Sequence, residues 1–307
     1  MEKTITLRVP ATSANCGPGF DSLGLALSMY NEFTYTISDV ELGFKLEVEG
    51  EGADFLKPSG RNLAFASFLD VWNQVKGRRR VGIKIHMKNN IPLARGLGSS
   101  STAIVAGIAA ANALSGAQLP KKELLVYANG LEGHPDNVAP AIFGGFTISY
   151  VVEGKPDTIK VLPPKPLKFI AVVPERPLST AVARKAIPPV VPHRDAIFNS
   201  SRAALLVAAL LQGEFQYLPF ALEDRLHQPY RAHLIAGLPD VFAAAKSAGA
   251  YNCIISGAGS TLMAYANPNM DCAAIGQAMQ AAFKANGQNS KVHILDLDAE
   301  GVKEFCS

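Results

Sequence analysis

From Val81 to Leu114 the sequence commits to one local architecture. Val81, Ile83, Ile85 and Met87 alternate with Lys84, His86 and Lys88, the period-two pattern of a half-buried strand. The loop Pro92-Leu-Ala-Arg-Gly-Leu-Gly-Ser-Ser-Ser101 follows, and a small-residue run from Ala103 to Leu114 then reads as a helix. Strand, glycine loop and helix in direct succession force a tight turn whose last residues open the helix. Gly96 and Gly98 let the backbone take positive φ and approach a ligand closely, while the free N–H groups of the first helical turn point at the same spot with the positive end of the helix dipole. Phosphate is the expected guest. A plain strand-to-helix turn capped by a serine uses the same residues, but Ser99, Ser100 and Ser101 offer more hydroxyls than a cap needs. One caps the helix, and the others remain for a phosphate oxygen or Mg²⁺. Two better-known phosphate motifs are excluded: no Gly-Lys-Ser/Thr occurs, and the third glycine of the dinucleotide fingerprint is replaced by Ser101.

Bulk properties narrow the class without naming a chemistry. A chain of 307 residues, 48% hydrophobic, is long enough for two cores. Its net charge of +3 lacks the concentrated basicity of a nucleic-acid binder, and the dense basic run Arg78-Arg79-Arg80 reads as a solvated turn. Four cysteines, Cys16, Cys253, Cys272 and Cys306, show neither CxxC spacing nor a disulfide-rich pattern, which favours a reducing compartment. The strand-like start MEKTITLRVP lacks an apolar signal core, and the run from Ala103 to Leu114 is too short to span a bilayer. A cytoplasmic protein with no membrane role is expected.

Hydrophobic periodicity predicts strands over 3 to 9, 31 to 49, 81 to 88 and 145 to 152, and helices near 62 to 75, 100 to 114 and 121 to 131. Glu153, Gly154, Lys155 and four prolines between 156 and 166 interrupt this pattern and mark a domain junction, giving domains of 1–155 and 165–307. The second half predicts helices near 195 to 212, 216 to 227, 239 to 249 and 271 to 286, a strand pair around 252 to 266 and a last strand at 291 to 297. It reads as an α+β domain with an antiparallel sheet.

Three further segments concentrate residues that packing alone does not require. Pro10-Ala-Thr-Ser-Ala-Asn15-Cys-Gly-Pro-Gly-Phe-Asp21 adds an amide and a carboxylate to a glycine- and proline-rich turn. Glu132-Gly-His134-Pro-Asp136-Asn137 offers an imidazole, two carboxylates and an amide. Zinc is disfavoured there because no second histidine lies at a ligand-like spacing. Ile255-Ser-Gly257-Ala-Gly259-Ser-Thr-Leu262 is a second glycine loop, readable equally as a hairpin turn.

Taken together, these segments resemble the GHMP kinase superfamily, and its three motifs occur in order. Its ATP loop is PxxxGLGSSAA, against PLARGLGSSST from Pro92 to Thr102 here. PATSANCGPGFDSLGLAL, GHPDNVAPAIFGG, Ser179-Thr-Ala-Val-Ala-Arg184 and Gln228-Pro-Tyr-Arg231 are similar to segments of the homoserine kinase subfamily. The resemblance implies a two-domain α+β fold, the first domain like ribosomal protein S5 domain 2 and the second ferredoxin-like. It implies ATP held by Asn62, Lys88, Pro92, Leu93, Ala94, Arg95, Gly96, Leu97, Gly98, Ser99, Ser100, Ser101, Thr102, Gly257 and Gly259, with Mg²⁺ on Ser100 and Glu132. L-homoserine would lie against Asn15, Asp21, His134, Asn137, Arg184 and Arg231, with Asp21 and Asp136 as the candidate catalytic carboxylates. Two guanidiniums suit an α-carboxylate, and Asp21 suits an α-ammonium.

The reaction so implied is Mg²⁺-dependent phosphorylation of the homoserine side-chain hydroxyl by ATP, a step of threonine biosynthesis. Whether Asp136 acts as a base or orients the substrate hydroxyl or His134 stays open at this point. The alternatives are another small-alcohol kinase of the superfamily, such as a mevalonate or diphosphocytidyl-methylerythritol kinase, and a non-catalytic metabolite sensor on the same scaffold. Dimers are common in the superfamily, so the resemblance allows a homodimer. His227 precedes Gln228-Pro-Tyr-Arg231, which would let it line the substrate site, but its place at a predicted helix end favours a surface histidine.

Overall fold

A computed structural model of the chain describes residues 2–77 and 79–305. Arg78 and Cys306 lie outside the described residues. The elements in order are β1 (Glu2–Ala14), β2 (Leu23–Ser38), β3 (Phe44–Gly50), α1 (Leu63–Lys76), β4 (Gly82–Asn89), α2 (Ser99–Ser115), α3 (Lys121–Glu132), α4 (Pro135–Phe143), β5 (Phe146–Val152) and β6 (Lys155–Val161). Next come β7 (Lys168–Pro174), α5 (Thr180–Lys185), α6 (His193–Gln212), α7 (Leu218–Ala221), α8 (Gln228–Arg231), α9 (Leu238–Ser247), β8 (Asn252–Ile255), β9 (Leu262–Ala266), α10 (Cys272–Ala285), β10 (Ser290–Leu295) and β11 (Lys303–Phe305).

Two sheets carry the molecule. The first runs β11-β1-β2-β4-β3, with β5 joining the start of β2 and β6 extending β5; β3 and β4 are parallel, and their crossover is α1. The second, β10-β7-β9-β8, is antiparallel throughout, as its sequence suggested, and α9 and α10 join its strands in the order strand, helices, two strands, helix, strand. Alternation along β7 shows how the layers stack. Phe169, Ala171 and Val173 face a core shared with Leu23, Leu25 and Leu27 of β2 and with α6, whereas Ile170 and Val172 face α9 and α10. A third core lies between the first sheet and α1 to α4. Helix α2 is its centre. Its small side chains are required there, because a Cβ on Gly107 would lie 2.0 Å from Ser67 Oγ and 2.5 Å from the Ala64 carbonyl of α1.

Several predicted boundaries move. The interruption at 153 to 168 contains a strand: Glu153 and Gly154 form a tight turn, and Lys155–Val161 returns along β5 in register from Val152↔Lys155 to Phe146↔Val161. Of that interruption, 162–167 crosses between the sheets. Pro10 sits inside β1 because the ladder with β2 shifts between Pro10 and Ala11, the irregularity that tolerates a missing N–H. The single helix expected over 216 to 227 is broken. The Asp224 carboxylate accepts the N–H groups of Leu226, His227 and Gln228, replacing the carbonyls a continuous helix would use, and a new helix starts at Gln228. Arg79 pairs with Asp39 at the surface, as a solvated basic turn should. No helix among the described residues is long and apolar enough to cross a membrane.

Candidate active site

A cavity of about 390 Å³ opens between the two sheets, and all the singled-out segments contribute to it. Its floor is the glycine loop. Gly98 is the N-cap of α2 with φ 70°, a left-handed conformation, and a Cβ there would fall 1.9 Å from Thr12 Oγ1. Glycine is therefore required by backbone conformation and by space. No serine caps the helix, contrary to the sequence reading: the N-cap makes no side-chain hydrogen bond. The loop is instead held by its carbonyls. Thr12 N–H donates to Leu97 O, Thr261 N–H to Arg95 O, Leu178 N–H to Ala94 O, and the Ser256 hydroxyl to Gly96 O. The second glycine loop thus braces the first, and the N–H groups of residues 96–101 are left without a protein acceptor among the described residues. That is an anion cradle with the dipole of a 17-residue helix behind it.

Not every residue expected at this end reaches it. Asn62, Leu93, Ala94, Arg95, Gly96, Gly98, Ser99, Ser100 and Gly257 line the cavity; Lys88, Pro92, Leu97, Ser101, Thr102 and Gly259 do not. Lys88 is exposed on the outer face of β4, while its neighbours Met87 and Asn89 line the cavity. Leu97 is buried in the core shared by the sheets. Thr102 accepts from Asn31 and donates to Ser99 O deep inside. Ser101 is buried and donates to Glu132 Oε1 at 3.1 Å, so it acts on the carboxylate rather than on a ligand. Asn62 serves as N-cap of α1, accepting from Phe65 N–H, with its amide still at the cavity wall. Arg95 donates to Leu93 O, Pro174 O and Glu175 O, clamping the loop to the end of β7. Leu56, Leu63, Met87 and Ala103, which the sequence reading missed, make the same end apolar.

The opposite end is built from ionised side chains. Asn15, Cys16 and Asp21 are non-glycine residues with φ of 68°, 46° and 55°, a strained loop of the kind that concentrates at functional sites. Asn15 secures it at both ends, donating to Gly257 O at 2.9 Å and accepting from Asp21 N–H at 3.1 Å. Burial pushes the Cys16 thiol up to about 12, so it is no nucleophile. Asp21 takes both Nη groups of Arg184 at 2.8 Å, a bidentate pair that raises the guanidinium pKa further. Arg231 is 2% exposed, and burial, then the neighbouring Arg184, lower it to about 10.

At the N-terminus of α4, His134 Nδ1 and Asp136 Oδ1 are 2.5 Å apart. Burial alone would depress the imidazolium, but the bond to Asp136 and the charges of Asp136, Glu132 and Asp21 outweigh it, and the His134 pKa is raised. Ligand atoms of Asp21, His134 and Asp136 converge within 4.8 Å of one another, an acceptor-rich corner suited to an ammonium or hydroxyl. Asn137 is steadied by Thr12 Oγ1, which donates to its Oδ1 at 2.9 Å. Between the two ends stand Ser100 and Glu132, the latter raised in pKa by burial. A hydroxyl and a carboxylate are the hard oxygen donors Mg²⁺ takes, and a cation beside the buried Glu132 would offset the cost of its burial, so the residues fit the ion.

Residues 62–145 match the family described as GHMP kinases N terminal domain, and residues 205–285 match GHMP kinases C terminal. The chain belongs to the GHMP kinase family. Among curated relatives, a homoserine kinase of Nostoc punctiforme is 42% identical over 301 residues, 98% of each chain. One from Carboxydothermus hydrogenoformans is 41% identical over 288 residues, 94% of this chain and 92% of that one. The crystal structure of homoserine kinase from Cytophaga hutchinsonii superposes with a TM-score of 0.89 at 32% identity, covering 98% of this chain and 97% of that chain. The two-domain GHMP kinase fold expected from the motifs is thereby established, and the named relatives do not favour the mevalonate-type alternative.

Proposed function

We propose that this GHMP kinase transfers the γ-phosphoryl group of ATP to the side-chain hydroxyl of L-homoserine, releasing O-phospho-L-homoserine and ADP, a step of threonine biosynthesis. The observation that carries the reading is one cavity with an uncommitted anion cradle at one end and, at the other, two guanidiniums beside convergent carboxylates. ATP would place its base against Asn62, Leu63 and Met87 and its phosphates on the N–H groups of residues 96–101. Ser100 and Glu132 would hold Mg²⁺, which neutralises charge developing on the transferring phosphoryl oxygens.

A zwitterionic acceptor matches the bidentate pair of Asp21 and Arg184. The α-carboxylate inherits Arg184 together with the Nη2 edge of Arg231, and the α-ammonium inherits Asp21, so each charge exchanges one partner for another. An acceptor lacking the amine would separate the pair without replacing Arg184 at Asp21. Positioning then does most of the catalytic work, since a loose phosphoryl-transfer transition state makes little demand on early deprotonation. Asp136, bound to His134, holds the imidazole toward the acceptor hydroxyl, and the hydroxyl proton leaves with a phosphate oxygen.

The test is coupled ADP release across homoserine, mevalonate, diphosphocytidyl-methylerythritol and other small alcohols. ADP release strictly dependent on homoserine is expected. Release unchanged by homoserine, or faster with an alcohol lacking an amino-acid end, overturns the assignment, and binding of both ligands without ADP release identifies a sensor.

A further inference from the structure

His227 was read from the sequence as a surface residue, yet it is wholly buried behind the acceptor end of the site. Its Nε2 lies 2.8 Å from Gly17 O, a group that only accepts, and its Nδ1 lies 3.2 Å from Arg231 Nη1, a group that only donates. A neutral ring protonated on Nε2 satisfies both. No other protonation state does. The Phe20 ring stacks on the imidazole at 5.3 Å and also faces the Arg184 and Arg231 guanidiniums. Arg231 has its other donors fixed as well: Nε bonds Ala183 O, and Nη1 bonds Gly257 O, the carbonyl that also holds Asn15. Among the described residues its Nη2 edge has no hydrogen-bond partner, and the side chain lines the cavity.

We infer that His227 is a positioning residue for the acceptor: with Nε2 bonded to Gly17 O, it sets through Nδ1 the angle at which Arg231 presents its Nη2 edge. The inference rests on the proposed homoserine site. Asp224 fixes the imidazole from behind, accepting the His227 N–H while one of its oxygens lies 3.5 Å from Nε2. The charged groups acting on the ring are Asp224, Arg231 and Asp21; burial, the largest influence, lowers its pKa, in the same direction as the neutral ring that its two hydrogen-bond partners require.

The two ring nitrogens can be separated experimentally. His227→Asn places an amide oxygen near the Nδ1 position and leaves the Gly17 end empty, whereas His227→Gln places its amide near Nε2 and removes the acceptor from Arg231. With ATP saturating, His227→Gln and His227→Ala should raise the homoserine KM about 10- to 100-fold, the range of a hydrogen bond to a charged group. His227→Asn should stay within about threefold of the parent by the same reasoning, and the ATP KM should be unchanged in all three. Equal homoserine KM values for the Asn and Gln variants, or parallel rises for both substrates, overturn the inference. Arg231→Ala is the reference: if it raises the homoserine KM while the Asn and Gln variants do not separate, His227 is merely structural; if it does not, the acceptor site itself is misassigned. A measurement on the unaltered enzyme stands whatever the variants' folding. Nitrogen-15 NMR should show the Nε2–H tautomer for His227, and an Nδ1–H tautomer overturns the proposal.

Discussion

The two ends of the cavity are built by opposite means. At the phosphate end the ligating groups are backbone N–H donors from one short segment, oriented by the left-handed Gly96 and Gly98 and braced by the second glycine loop. Of the two arginines that line this end, Arg61 and Arg95, the second is occupied with carbonyls. At the acceptor end the groups are side chains from the loop after β1, the start of α4, α5 and α8: Asp21 and Arg184 hold each other, as do His134 and Asp136, and Arg231 is held by the buried His227. A backbone site recognises a kind of charge and is destroyed only by changing the backbone. A side-chain site recognises the arrangement of several charges and can be dismantled one residue at a time.

Replacing Arg231 should separate the ends most sharply. Arg231→Ala leaves a buried carboxylate short of its partner, at a cost of roughly 3–5 kcal/mol, so the homoserine KM should rise more than about a hundredfold with little change for ATP. Equal effects on the two substrates would erase the distinction. At the other end, Gly98→Ala forces a Cβ into Thr12 in a left-handed conformation. Loss of about 2–3 kcal/mol of stability is expected, with weakened nucleotide binding measured calorimetrically and homoserine binding spared. Ser100→Ala should lower turnover roughly 10-fold and raise the Mg²⁺ requirement without affecting homoserine binding. Unchanged turnover would remove Ser100 from the metal site.

Asp136→Asn tests which end drives chemistry. A fall in kcat of about tenfold fits an orienting role through His134, whereas a loss of 10³-fold or more would make Asp136 a general base. The smallest effect concerns His227 and stability. Burial lowers its folded pKa below the ordinary histidine value near 6.5. Above that value the ring is neutral in both states and its contribution is complete. As pH falls through it the unfolded chain takes the proton first, and stability drops until the folded pKa is reached, by up to about 1.4 kcal/mol per pH unit. The Tm of the parent should therefore fall more between pH 8 and pH 5 than that of His227→Asn; parallel curves would mean the histidine titrates alike in both states.

The same contrast explains what the sequence made legible. The strand, glycine loop and helix from 81 to 114 are local, and every residue type there states its own conformation. The acceptor end brings Asn15 together with Arg231, a pairing that no spacing rule encodes, so it was reached through family resemblance. Within the readable segment the errors are geometric. Lys88 shares the outward side of β4 with Lys84, so the alternation that identified the strand also removes Lys88 from the cavity. Ser101 and Thr102 follow Ser100 along a helix that turns about 100° per residue, which carries them to the buried side. The burial of His227 was not legible because Gly17, whose carbonyl its Nε2 meets, is 210 residues away in the sequence, which a helix-end position does not reveal.

The last strand has a consequence for how the polypeptide matures. β11 pairs with Thr6 to Arg8 of β1, and the approach to it is stitched to the first sheet by Leu27↔Leu297 and by Asp298 N–H to Ala26 O. The phosphate-binding half, although encoded early, cannot acquire its outer stave until residue 305 has left the ribosome. Without β11 the β1 edge would be bare, a template for pairing with another copy, so this short strand is what closes that side of the sheet.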